Sequence, residues 1–147
     1  YNKKYLINQN IWSKDVKFIL VEPKDADCIS HNIIIHRNND DDNLYQCIGK
    51  TNSIMAGLNC GVPSKISWPI IQDTVDLYVV IGDQWAVKAM KKMKQENIIA
   101  GESGGAGIAG LLALIGKGIF DKDSVILSIN TESDTDPNNY LKIINEK

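Results

Sequence analysis

The chain has 147 residues, of which 44% are hydrophobic and 23% charged, with a formal net charge of −2. That is the make-up of a soluble globular protein with room for one core. With a single arginine, Arg37, it offers no clustered basic face for nucleic acid, and no run of about 18 apolar residues spans a membrane.

The first residue is Tyr1, and the opening carries neither an apolar signal core nor a targeting pattern. The expectation is therefore a piece of a longer chain, with residues 1–147 forming a single α/β domain. Cys28, Cys47 and Cys60 are odd in number and lack close pair spacing, which fits neither a disulfide scaffold nor a zinc site. Reduced thiols and a cytoplasmic location follow as expectations.

In chain order, residues 17–22 are a short apolar run closed by Pro23 and read as a buried strand. Residues 38–43 are polar, with three adjacent aspartates. They lack the alternating oxygen ligands and the glycine of a calcium loop, so no metal is expected there. Residues 76–81 read as the next strand. Asp83 then suits the N-cap of a helix carrying Trp85, Ala89, Met90 and Met93. Lys88, Lys91, Lys92 and Lys94 read as its solvated face, near the negative helix end.

Residues 97–100 are expected as a short strand, followed by a glycine-rich turn at 101–105 and an apolar helix over 108–115. Residues 124–129 are expected as a further buried strand ending in the polar cluster 130–136. Pro137 suits the first turn of a last helix holding Tyr140, Leu141 and Ile144. Strands alternating with helices imply an α/β fold, a mostly parallel sheet with helices on both faces. Ligands in such sheets bind beyond the carboxyl ends of the strands, which points to the turns after Glu22, Ile81, Gly101 and Ile129.

The glycine turn matches more than one pattern. Gly101, Ser103 and Gly105 fit G-x-S-x-G, but the only histidines, His31 and His36, precede the serine, against the chain order of that fold. Gly105, Gly107 and Gly110 fit G-x-G-x-x-G with Glu132 after the next strand, yet the glycines begin after the strand has already turned. A nucleotide module would show a phosphate contact at residues 104–107.

The whole turn makes more sense with motifs elsewhere. In order come Val21, Glu22, Pro23 and Ala26; the 53–58 segment from Ser53 through Gly57 to Leu58; Asp76, Val80 and Asp83; Ala89 and Met90; Gly101, Glu102, Ser103 and Gly104; and a last strand ending in polar residues. This series resembles the C-terminal portion of the fold type II pyridoxal-phosphate enzymes, the tryptophan synthase β-type family that includes serine and threonine dehydratases. Residues 25–28, 53–61, 101–104 and 130–136 are similar to its diaminopropionate ammonia-lyase members, and the resemblance runs from about Phe18 to Tyr140.

The resemblance implies α,β-elimination from 2,3-diaminopropionate to pyruvate and ammonia, with pyridoxal phosphate as electron sink. It implies cofactor contacts at Gly57 against the pyridine ring, Glu102 near the ring edge, and Asn130 or Thr131 at the pyridine nitrogen. This chain has Asn130 where the family pattern has serine, and it lacks the proline that follows the glutamate in the dehydratases. It also implies that Cys28 and Cys60 lie close together. The family's Schiff-base lysine and phosphate loop lie upstream of this stretch, and residues 1–10 resemble the helix after that loop. No catalytic residue is therefore expected here. The chain would supply one wall of the site, for a small amino-acid substrate, with an N-terminal part as partner and a possible homodimer. The alternatives are a related serine or threonine dehydratase, and a non-catalytic remnant that binds a partner.

Overall fold

A computed structural model describes residues 3–13, 15–38 and 43–146. Its sheet pairs β1 (Ile19–Pro23) with β2 (Leu77–Ile81) in parallel, Val21 opposite Val79. Successive strand residues face opposite ways. Ile19, Val21, Leu77, Val79 and Ile81 point to one side, where they join a core with Met55, Ala86, Ala89, Ala106 and Ala109. Glu22 and Tyr78 point to the other side, toward α2 (Cys28–Asn38) and α3 (Trp68–Thr74). Helices thus cover both faces, and the α/β architecture is as the sequence implies.

Two helices build the first side. In α4 (Asp83–Gln95), Ala86, Ala89, Met90 and Met93 are buried, while the lysines lie outward. In α5 (Ala106–Leu114), small residues allow a close approach to the sheet: a Cβ on Gly110 would sit 2.4 Å from a methyl of Val21. The closing helix α6 (Pro137–Asn145) packs Tyr140 and Ile143 on Met90 of α4. It starts as expected: Pro137 fills the first turn and the Asp136 carboxylate accepts from the Asn139 amide at 3.1 Å. The opening helix α1 (Lys3–Asn8) is tied to the strands through the Lys3–Asp76 ion pair.

Two expected strands do not form. Asn97 begins no strand because it ends α4: at φ 58° it sits in the left-handed region, its amide donating to Lys94 O and that of Ile98 to Met93 O. Those two bonds are a Schellman closure. Residues 124–129 join no ladder, with Val125 99% and Leu127 87% exposed. A strand needs a hydrogen-bonded neighbour, and among the described residues none lies beside this segment. The polar 38–43 loop falls mostly outside the described residues; among those described, no cluster could hold a metal ion. No described helix is long and apolar enough to cross a membrane.

The cysteines are free thiols. Burial first, then the charge of Glu22 and the neighbouring Cys60, push the Cys28 thiol up to about 12. Burial likewise raises Cys47, with Asp27 adding to it. Only the thiolate is nucleophilic. At pH 8 a thiol reagent is therefore expected to label exposed Cys60 quickly, and Cys28 and Cys47 only after denaturation, as peptide mapping of the labelled chain would show.

Candidate functional site

Three segments meet beyond the carboxyl ends of the strands. The first is the 53–59 loop, which contains the 3-10 turn Ala56–Leu58. Its base is clamped twice. The Asp83 carboxylate accepts from the Ser53 hydroxyl at 2.5 Å and the Ile54 amide at 3.2 Å. The Asn59 side chain accepts from the Ser53 amide at 3.0 Å and donates to its carbonyl at 2.8 Å. Asp83 therefore does not cap α4 as expected. Gly82 holds the N-cap position, and Asp83, in the first turn, reaches across to this loop.

The second segment is the glycine turn at 101–105, leading into α5. It meets the loop tip directly: the Gly57 amide donates to Ser103 Oγ at 2.9 Å. Gly57 is exposed, and a Cβ there would come 3.1 Å from that oxygen, so glycine leaves a flat backbone surface beside the hydroxyl.

The third segment, residues 130–135, lies over the turn. The Glu132 carboxylate accepts from the amides of Ser103 and Gly104, both at 3.0 Å, and from the Thr135 hydroxyl at 2.7 Å. The Glu132 carbonyl accepts from the Gly101 amide at 3.1 Å. Gly101 and Gly104 make room for this contact, because a Cβ at Gly104 would lie 2.4 Å from the Glu132 backbone nitrogen. Asn130 donates to the Ile99 carbonyl at 3.0 Å, and Thr131 is exposed.

Glu102, in the same turn, bonds to α6. It is 8% exposed and its carboxylate accepts from the Asn139 side-chain amide of α6 at 2.5 Å. Of the four expected cofactor contacts, Gly57, Asn130 and Thr131 thus lie on segments that meet at the turn, while Glu102 ties the turn to α6. Ser103 and Glu132 are the site residues that motif reading did not single out for this role. Their positions in the Gly-Glu-Ser-Gly turn and the polar strand-end cluster are the only signal in the sequence.

Two other readings of the turn lose their geometry. The amides of Ser103 and Gly104 already hold Glu132, and those of Gly105 and Ala106 donate to the Gly101 and Ser103 carbonyls, so three of the four amides at residues 104–107 are taken before any phosphate arrives. No histidine base serves Ser103: both histidines lie on α2, where the His36 ring packs on Trp68 and its Nδ1 donates to the Asn32 carbonyl. The lysines with defined partners also point elsewhere, Lys3 and Lys17 to Asp76, Lys88 to the Trp85 ring, Lys91 to the Glu146 carbonyl and Lys92 to Glu96.

The electrostatics of Glu132 follow from these contacts. Burial would raise its carboxyl, but the Thr135 hydroxyl, the Gly104 and Ser103 amides and the Ser103 hydroxyl outweigh it and hold it below the ordinary 4.5. A depressed carboxyl stabilises the fold above its unfolded value, and that contribution is lost as pH falls through the folded one. Stability measured by denaturant titration is therefore expected to drop from pH 5 downward, and to drop less in Glu132→Gln.

The fold and this strand-end meeting of loops define a class. The chain belongs to the pyridoxal-phosphate dependent enzyme family, whose model matches residues 4–132. Within it the chain is similar to the diaminopropionate ammonia-lyase of Escherichia coli K12, 32% identical over 140 residues that cover 86% of this chain and 34% of that protein. The Salmonella typhimurium LT2 enzyme of the same name is 33% identical over 142 residues. The crystal structure of the holo Escherichia coli enzyme superposes with a TM-score of 0.76 at 28% identity, covering 95% of this chain and 36% of that one. The same enzyme in complex with D-serine gives 0.74. The chain spans about a third of the length of the curated relatives it matches.

The residues present suit one edge of the family's cofactor. An exposed glycine backbone leaves room for a flat ring, and a neighbouring hydroxyl with exposed Asn130 and Thr131 would offer neutral hydrogen-bonding groups to a ring nitrogen.

Proposed function

We propose that this chain is one α/β domain forming the C-terminal wall of a pyridoxal-phosphate ammonia-lyase that converts 2,3-diaminopropionate to pyruvate and ammonia. The observation that carries the reading is the meeting of the Gly57 loop, the 101–105 turn and the 130–135 segment in a chain 32% identical to such an enzyme. When bound, the cofactor supplies the electron sink for loss of the α-proton and the β-amino group.

This chain's own residues would place the ring. Gly57 lets it lie against the backbone. Thr131, with Asn130 beside it, offers the pyridine nitrogen a neutral partner, which leaves that nitrogen less protonated than a carboxylate would. Glu102, held by Asn139, stands behind the turn as its brace near the ring edge. The lysine that carries the cofactor and the phosphate loop belong to a complementary N-terminal part, so the isolated chain is inactive. The complete enzyme is taken to work as a cytoplasmic homodimer in amino-acid catabolism; the three free thiols support the compartment.

The test is pyruvate release by the chain mixed with the N-terminal two-thirds of the Escherichia coli relative, each alone serving as control. Release from 2,3-diaminopropionate by the mixture only is the expected result. Faster release from serine or threonine would assign a dehydratase instead, and no release from any of them would refute the reading.

A further inference from the structure

We propose that Glu132 is a positioning residue, which sets the Gly57 backbone against the cofactor by holding Ser103 in place. The role of that backbone rests on the ammonia-lyase reading; the coupling itself stands on three contacts. The Glu132 carboxylate binds the amides of Ser103 and Gly104. Ser103 Oγ in turn accepts from the Gly57 amide. Gly101 and Gly104 are the size they must be for Glu132 to enter, since a Cβ on either would lie within 2.7 Å of it.

The loop is therefore held by two separate devices. Its base, residues 53–55, depends on Asp83 and Asn59. Its tip depends on Ser103, and through Ser103 on Glu132. A carboxylate fits the two amides because they point at one oxygen at equal distance, and an ionised acceptor makes the stronger bonds. Without it the 101–105 turn has two undirected amides, and the Ser103 hydroxyl loses its bearing on Gly57. Asn130 is fixed to the Ile99 carbonyl and Thr131 is exposed, so neither replaces it.

The division between tip and base gives the test its specificity. Amide hydrogen exchange of the chain, read residue by residue by NMR, is compared for wild type, Glu132→Ala, Ser103→Ala and Asp83→Asn. In Glu132→Ala the exchange of Gly57, Ser103 and Gly104 is expected to rise by about tenfold or more, with the Met55 amide unchanged. Asp83→Asn is expected to show the reverse pattern. Formate added to Glu132→Ala should restore protection at Gly57, because a small carboxylate can occupy the vacated amides. A uniform rise across 53–57, no change at Gly57, or no effect of formate would overturn the proposal.

In the two-part mixture, Glu132→Ala is expected to lower kcat by about 100-fold with KM little changed, the size of effect that a misplaced reacting group produces. Activity equal to wild type would overturn the proposal. Failure of the wild-type mixture to release pyruvate, with the exchange pattern as expected, would leave the coupling standing and bring down the ammonia-lyase reading alone.

Discussion

Gly104→Ala is expected to cost about 2–3 kcal/mol in unfolding free energy, measured by urea titration. The added methyl would lie 2.4 Å from the Glu132 backbone nitrogen and 2.5 Å from its Cβ. Backbone cannot rotate away as the end of a flexible side chain can, so the 130–135 segment must lift off the turn. The lift also breaks the carboxylate bonds to Ser103 and Gly104, which adds the loss of two charge-assisted hydrogen bonds. Gly61→Ala is the control. Its methyl would meet the nearest atom at 3.5 Å, an ordinary contact, and is expected to change stability by no more than about 0.5 kcal/mol.

Glu22→Ala is expected to cost about 3 kcal/mol or more by the same measurement. Glu22 is 6% exposed at the end of β1, and its carboxylate accepts from the Ile29 amide, the Ser30 amide and the Ser30 hydroxyl. The two amides belong to the first turn of α2, which has no partner for them within the helix. A negative group there also meets the positive end of the helix dipole. Alanine leaves all three donors unpaired. Glu22→Gln keeps the shape and one acceptor oxygen, and is expected to cost roughly half as much. It has a second consequence: the Glu22 charge is, after burial, the next cause raising the Cys28 thiol. Removing that charge should bring the thiol down and speed its alkylation at high pH.

Glu22 also explains why α2 was illegible. Its sequence places Ile33, Ile34 and Ile35 in a row, β-branched residues that favour extended backbone, among histidines and asparagines. The helix forms because non-local groups satisfy it. Glu22 caps its start, and Asn32, fully buried, donates to the Cys28 and Tyr45 carbonyls and accepts from the Tyr45 amide. α3 is similar, a short helix whose Pro69 marks its first turn only in hindsight. By contrast β1, β2, α4 and α6 carry local signals: apolar runs closed by Pro23 and Gly82, a buried stripe at helical spacing, and the Asp136–Pro137 start.

The 124–129 run shows the opposite limit. Its residues favour a strand, but a strand is a property of a pair, and the described residues offer it no ladder partner. At the site, Gly57 and the glycine turn could be found from motif order. The link from Glu132 through Ser103 to Gly57 could not, because it joins residues 46 and 29 positions apart by contacts that only folding creates.

The measurement that bears most directly on the central claim is cofactor retention. The chain, the N-terminal two-thirds of the Escherichia coli relative, and their mixture are each incubated with pyridoxal phosphate, desalted, and scanned between about 300 and 500 nm, with borohydride reduction and peptide mapping to locate any modified lysine. A band retained by the mixture and not by this chain alone is the predicted result, with the modified lysine on the N-terminal part. A band retained by this chain alone on one specific lysine, or no band in the mixture, would contradict the assignment of this chain as one wall of a shared pyridoxal-phosphate site.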